Sequence, residues 1–152
     1  MAKITLQNIA HSYNPGATEK IYALNPFDMT WVDGGRYAIL GPSGCGKSTM
    51  LNIMSGIVTP SEGKLLFDDV DVTNVSTSER NIAQVFQFPV IYGTMTVEQN
   101  LAFPLVCRNY EKRVIAAKVQ EVAEALSLQE LLKKSASKLT ADQKQLISLG
   151  RG

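Results

Sequence analysis

Neither sign of charge is in excess: 15 Lys and Arg stand against 14 Asp and Glu, a formal net charge of +1 at pH 7. Such a chain has no general electrostatic attraction to nucleic acid or to anionic lipid. Long apolar runs are lacking too, and none approaches the ~20 residues that a bilayer-spanning helix needs. Residues 1–5 (MAKIT) lack the charged-then-apolar pattern of a signal peptide, so the expected location is cytoplasmic. Histidine occurs once, at 11, and cysteine twice, at 45 and 107, with neither thiol near a second Cys or His. That spacing argues against a disulfide and against a metal centre, and suits a reducing compartment. Internal repeats and low-complexity stretches are also missing. What is present is 152 residues, 45% hydrophobic and 19% charged, one domain's worth of globular chain.

The most informative stretch is residues 36–57, RYAILGPSGCGKSTMLNIMSGI. The apolar run at 37–40 reads as a strand and ends at Gly41. A glycine-rich turn follows, Gly41-Pro42-Ser43-Gly44-Cys45-Gly46, then Lys47-Ser48-Thr49, then a helix with Met50, Leu51, Ile53, Met54 and Ile57 as its apolar residues. Every fixed position of the G-x-x-x-x-G-K-[ST] phosphate loop is filled. Gly41, Gly44 and Gly46 admit backbone angles that a Cβ would forbid, so successive N–H groups can turn inward around a phosphate. The helix start adds free N–H groups and the positive end of its dipole. Lys47 places a full charge against the β- and γ-phosphates, and the Ser48 hydroxyl is a hard oxygen ligand suited to Mg²⁺. An ordinary glycine turn would account for neither the preceding strand nor the Lys-Ser pair. The chain is therefore expected to bind a nucleoside triphosphate.

The flanking sequence supplies the frame. Residues 3–13 alternate apolar and polar and read as a strand ending at Tyr13, an aromatic that either stacks on a base or packs at a sheet edge. Asn14-Pro15-Gly16 is a turn, and residues 21–32 are a second strand region interrupted at Asn25-Pro26. Residues 64–72 suggest short strands; Asp68, Asp69 and Asp71 read as turn and surface carboxylates, because no further ligands accompany them. Residues 76–80 form about one helical turn, and residues 81–86 (NIAQVF) read as a core strand ending in Gln87. A helix begins near residue 96 with Thr94 or Thr96 as its cap. Residues 111–126 carry Ile115, Val119, Val122 and Leu126 on one helical stripe. A short helix follows around Leu128, Leu131 and Leu132. In LTADQKQ, Thr140 and Gln143 have capping-box spacing and Asp142 suits the first turn, so a well-capped helix start accounts for the segment locally.

Taken together, these pieces resemble the ATP-binding cassette ATPases over the whole chain. The loop GPSGCGKST comes first; Tyr13 occupies the place of the family's adenine-stacking aromatic, Gln87 in VFQ that of its Q-loop glutamine, and LTADQKQ that of its signature, usually LSGGQ. The resemblance implies an α/β fold: a P-loop NTPase cassette core with an N-terminal antiparallel β layer over residues 1–87, and a helical subdomain with the signature helix start over 88–152. It implies ATP and Mg²⁺ as ligands. Tyr13, Gly41, Pro42, Ser43, Gly44, Cys45, Gly46, Lys47, Ser48, Thr49, Thr140 and Gln143 would contact nucleotide, Lys47 and Gln87 would serve catalysis, and Ser48 and Gln87 would serve the metal. Implied partners are a second ATPase protomer, whose γ-phosphate the signature faces, and integral membrane permease subunits; no nucleic acid and no metal other than Mg²⁺ is expected. The implied location is the inner face of the cell membrane, as a peripheral subunit. NIAQVFQFPVIYGTMTVEQNLAFPL and LTADQKQLISLGRG look most like ATPases of bacterial carbohydrate and glycerol-phosphate importers.

Two departures carry consequences. Ala141-Asp142 replaces two signature glycines, which adds a Cβ where backbone must approach closely and a negative charge near an anionic ligand. The family's next strand, ending in an aspartate and a catalytic glutamate, and its switch histidine have no counterpart here, and His11 lies in the wrong region to substitute. The reading is thus an N-terminal portion that stops before the Walker B strand, expected to bind nucleotide weakly and to hydrolyse it poorly. Competing readings are a soluble cassette ATPase acting on nucleic acid or ribosomes, a small P-loop kinase, and a nucleotide-binding module that never catalyses. The first lacks a basic patch, and the second leaves Gln87 and LTADQKQ without a role.

Overall fold

Period-two patterning dominates the first part of the chain and helical patterning the last, and the fold divides accordingly into two compact units, Met1–Ile82 and Ala83–Gly152. The computed structural model describes residues 2–14, 16 and 21–152. Pro15 of the expected turn lies outside the described residues, as does Met1.

In the first unit, β1 (Ile4–His11), β2 (Leu24–Trp31), β3 (Glu62–Phe67) and β4 (Val70–Asp71) form an antiparallel sheet in the order β2-β1-β3-β4. Helix α1 (Lys47–Ser55) covers it: Met50, Ile53 and Met54 join Leu6, Ile9, Leu24, Leu65 and Val72 in one buried cluster. The alternation of β1 breaks at Asn8, whose φ is +47°, and the register shifts against both neighbouring strands there. This bulge turns Ile9 as well as Leu6 into the core, which strict alternation would not allow. Opposite it sits Gly63, at φ +87°, where a Cβ would run into the carbonyl oxygens of Gln7 and Asn8. The interruption expected at Asn25-Pro26 is a second register shift within β2 rather than a break. Pro26 is tolerated because β2 is an edge strand. Asp68 and Asp69 are the turn of the β3–β4 hairpin, at φ +47° and +66°. Asp71 accepts from the Thr73 hydroxyl (2.6 Å) and amide (3.0 Å), and these bonds hold its carboxyl below the ordinary carboxylate range. Among the described residues no acidic, His or Cys cluster could hold a metal.

Two expected strands do not form. Residues 37–40 and 81–86 belong to no strand and have no ladder partners among the described residues, and Leu40 is 89% exposed. Strand propensity satisfies one side of nothing by itself; a ladder needs a neighbour, and β1 to β4 pair only with one another. Tyr37 is instead tied back to the end of β2, its ring stacked on Trp31 (5.2 Å) and its hydroxyl accepting from the Val32 amide (2.9 Å).

The second unit is helical. Helices α2 (Val97–Cys107), α3 (Lys112–Ala125) and α4 (Ala141–Gly150), with 3-10 turns at Gln129–Leu131 and Ala136–Lys138, enclose Val97, Leu101, Val119, Ala123, Leu128, Leu132, Leu139 and Ile147. Thr96, not Thr94, caps α2 in a reciprocal box with Gln99. Gly150 lets α4 pack closely, since a Cβ there would meet Leu101, Val122 and Leu126 side chains within 2.9 Å. Asn100 is fully buried; its Oδ1 accepts from the Tyr92 amide (2.8 Å) and its Nδ2 donates to the carbonyls of Tyr92 (3.0 Å) and Thr96 (2.9 Å). Asn100→Leu keeps the volume but leaves these backbone groups unpaired. Urea denaturation should show a loss of about 1–3 kcal/mol; an unchanged midpoint would mean that water takes the place of the amide.

Candidate functional site

The loop at residues 41–46 is placed by its last glycine. Gly46 is the N-cap of α1 in the left-handed region (φ +92°), and a Cβ on it would meet the Ala23 carbonyl oxygen at 2.6 Å and Leu24 at 2.9 Å. Only glycine gives both the backbone angle and the close approach to the start of β2. Gly44 is also left-handed (φ +82°). Gly41 is not, which corrects the expectation that all three glycines serve a positive φ; a Cβ there would instead meet the Cys45 sulfur at 2.7 Å. No acidic residue lies in the first turn of α1, so nothing local offsets the positive end of its dipole.

Lys47 curls over this loop. Its Nζ donates to the carbonyls of Gly41 (2.9 Å) and Pro42 (2.7 Å), with the Cys45 sulfur at 3.7 Å. Carbonyl oxygens hold the ammonium at the loop mouth, where phosphate oxygens, which carry more charge, can replace them. Pro42 accepts from the Cys45 amide across the turn (3.4 Å), and Ser43 lies exposed between them. Ser48 is exposed in the first turn of α1, whereas Thr49 is buried. Mg²⁺ is compatible with this arrangement: it retains waters and takes phosphate oxygens, so one exposed hard oxygen from the protein is a sufficient donor.

Tyr13 is brought to the same place. Its hydroxyl lies 3.3 Å from the Thr49 hydroxyl, while the residue stays 60% exposed. It is thus anchored at its tip to α1. His11 stands against that ring in a T-shaped contact (4.5 Å, 88°).

Sequence reasoning passed over Arg80. It is 6% exposed and donates to four backbone carbonyls: Nε to Val75 (2.9 Å), Nη1 to Ile53 (2.6 Å) and Met54 (3.1 Å), Nη2 to Thr73 (2.9 Å). Ile53 and Met54 belong to the last turn of α1, so the cation complements the negative end of the phosphate-loop helix. Burial pushes the guanidinium pKa below its ordinary value. In the sequence Arg80 sits in a polar turn, and no local pattern marks it as buried.

The remaining expected residues lie in the second unit. Gln87 is exposed in an irregular segment, and α4 braces that segment on both sides: Gln145 Nε2 donates to the Phe86 carbonyl (3.1 Å) and Arg151 Nη1 to the Val90 carbonyl (2.6 Å). The Arg151 guanidinium also lies 4.7 Å from the centre of the Tyr92 ring. Thr140 and Gln143 form the capping box of α4, the Thr140 hydroxyl accepting from the Gln143 amide (3.3 Å) and the Gln143 side chain from the Thr140 amide (3.2 Å). Cys45 and Cys107 are free, exposed thiols. No described helix is long and apolar enough to cross a membrane.

A profile of the ABC transporter family matches residues 24–152, from β2 through the phosphate loop to the end of α4. The chain belongs to the ABC transporter family. It is 39% identical over 151 residues to the sn-glycerol-3-phosphate import ATP-binding protein UgpC of Jannaschia sp. (strain CCS1), an alignment that covers 99% of this chain and 42% of that protein. It is 40% identical to the trehalose import ATP-binding protein SugC of Mycobacterium tuberculosis (strain ATCC 25618 / H37Rv), covering 99% of this chain and 37% of that one. The ABC chain thus spans well under half the length of these relatives. Among solved structures, the dimeric bacterial ABC transporter cassette MJ0796 superposes with a TM-score of 0.84 at 27% identity, over 97% of this chain and 68% of its own. The ADP conformation of the cassette MJ1267 gives 0.78 at 26% identity, over 99% and 64%. The α/β cassette fold expected from the motifs is the fold observed.

Proposed function

We infer that this chain forms the nucleotide-binding part of an importer's ATPase subunit. The carrying observation is the loop itself: a glycine-capped helix N-terminus with the Lys47 ammonium held over it by two loop carbonyls. In this reading the backbone N–H groups of residues 41 and 43–46, with Lys47, Ser48 and Thr49, bind the phosphates of ATP, Pro42 shapes the turn between them, and Tyr13 takes the adenine ring. Ser48 gives Mg²⁺ its protein oxygen; when bound, the ion draws together and neutralises the phosphate oxygens. Gln87 would serve the metal and the attacking water. Thr140 and Gln143 face the γ-phosphate held by a second protomer, exchanging their capping bonds for it. ATP binding closes the dimer, hydrolysis reopens it, and permease subunits in the membrane follow, with this chain at the cytoplasmic face. The likeness to glycerol-phosphate and trehalose import proteins supports a sugar, polyol or glycerol phosphate as the transported solute.

Titration calorimetry with Mg-ATP tests the core of this reading: saturable binding, lost on adding a chelator of Mg²⁺, is expected, and a folded chain with no heat of binding would sink it. Phosphate release measured on the same sample separates hydrolysis from binding alone.

The signature departure gives a second measurement. Asp142 lies exposed in the first turn of α4, where it favours the helix dipole but opposes an incoming phosphate. Asp142→Gly should weaken α4 by about 0.5–1 kcal/mol while tightening Mg-ATP-driven dimerisation in light scattering. Unchanged dimerisation and turnover would show that solvent already screens this charge.

A further inference from the structure

The single histidine belongs to no step above, yet it is 8% exposed and tied to the strand ends that carry the nucleotide loop. Its carbonyl accepts from the Ala23 amide (2.9 Å), one residue before β2. Its Nδ1 lies 3.3 Å from the Ser61 hydroxyl oxygen, at the start of β3. That same oxygen accepts from the Ser12 amide (3.1 Å), and the Ser61 hydroxyl is also within reach of the Ser12 carbonyl (3.2 Å). The backbone at His11 is thus held from the β2 side, and the imidazole itself is held by the Ser61 hydroxyl, which is fixed in turn by the backbone of Ser12. Its remaining ring nitrogen, Nε2, is buried without a hydrogen-bond partner among the described residues. A buried polar atom left unpaired costs stability, so packing alone does not favour histidine over an apolar ring here. What the ring does make is the T-shaped contact with Tyr13, at 4.5 Å and 88°.

We propose that His11 is a positioning residue that, held by Ser61, sets the Tyr13 ring for the base of the bound nucleotide and so decides how strongly the site prefers a nucleoside triphosphate over a bare triphosphate. The inference rests on the nucleotide reading above and adds to it the source of base selectivity. Among the described residues Tyr13 is held at two points, the Thr49 hydroxyl at its tip and the His11 ring at its side. The tip anchor leaves rotation about the long axis of the ring free. The edge contact removes that freedom, and a stacking face whose orientation is preset loses less entropy on binding.

The test compares two probes, Mg-ATP and Mg-tripolyphosphate, by calorimetry on this chain and on His11→Ala and Ser61→Ala. His11→Ala should weaken Mg-ATP about three- to ten-fold, the scale of one aromatic contact, and leave Mg-tripolyphosphate within about two-fold. Ser61→Ala, an exposed position less damaging to the fold, should shift the ratio in the same direction by about two-fold. A purely structural histidine would weaken both probes together. A ratio unmoved in both variants, or equal losses for the two probes, overturns the proposal. A wild-type chain that binds tripolyphosphate as tightly as ATP overturns it too, while leaving the phosphate loop intact. A wild-type chain that binds neither counts against the nucleotide reading itself.

Discussion

Arg80→Met is expected to lower the unfolding free energy by about 3 kcal/mol or more in chemical denaturation. Methionine replaces the aliphatic stem, so little cavity is left, and the loss reports the guanidinium alone. Its donors reach four carbonyls, two of them in the last turn of α1. Each carbonyl so buried costs about 1–3 kcal/mol when left unpaired, less whatever water can reach it. The neighbouring backbone has been shaped around the same group. Gly56, the left-handed C-cap of α1 (φ +81°), carries no Cβ, and one built there would sit 2.8 Å from Arg80 Nε. Arg80→Lys should recover only part of the loss, because an ammonium lacks the planar fork that spans these acceptors. A loss under about 1 kcal/mol for Arg80→Met would mean that the carbonyls are solvated without it.

Lys47→Ala should leave stability within about 0.5 kcal/mol, since its partners are loop carbonyls at the surface. Its effect falls on nucleotide instead. A charge-assisted bond to phosphate is worth about 1.5–3 kcal/mol, so Mg-ATP affinity should drop roughly 10- to 100-fold. Lys47→Arg is not expected to restore it: the loop presents two carbonyls to a compact ammonium at 2.7 and 2.9 Å, and a planar guanidinium has a different reach. Thermal denaturation beside calorimetry separates the two effects. Equal affinity in Lys47→Ala would require the amides and the helix dipole to carry all of the phosphate binding.

Local chemistry made much of the fold legible. The capping boxes at Thr96 and Thr140, the turn carboxylates at 68 and 69, and the apolar stripe through Val119 depend on residues a few positions apart, and all form. Failures came where a partner had to be supplied from elsewhere. Residues 37–40 and 81–86 have the composition of strands but no ladder neighbour among the described residues, and hydropathy cannot report a neighbour. Asn8 interrupts β1 because Gly63 and the two flanking strands admit a bulge there, a fact spread over three segments. Arg80 reads like any turn cation until the carbonyls of α1 and of residues 73 and 75 surround it.

By itself, the order of residues determined the phosphate loop and its helix, because the glycines, lysine and hydroxyls that make them fall within nine consecutive positions, and it determined the family through motifs spread along the chain. Only the tertiary structure decided what holds Tyr13 against α1 and which buried cation closes the far end of that helix. Those contacts join residues 26 to 50 positions apart, from Arg80 with Met54 to His11 with Ser61. Chain folding, not local propensity, sets such distances.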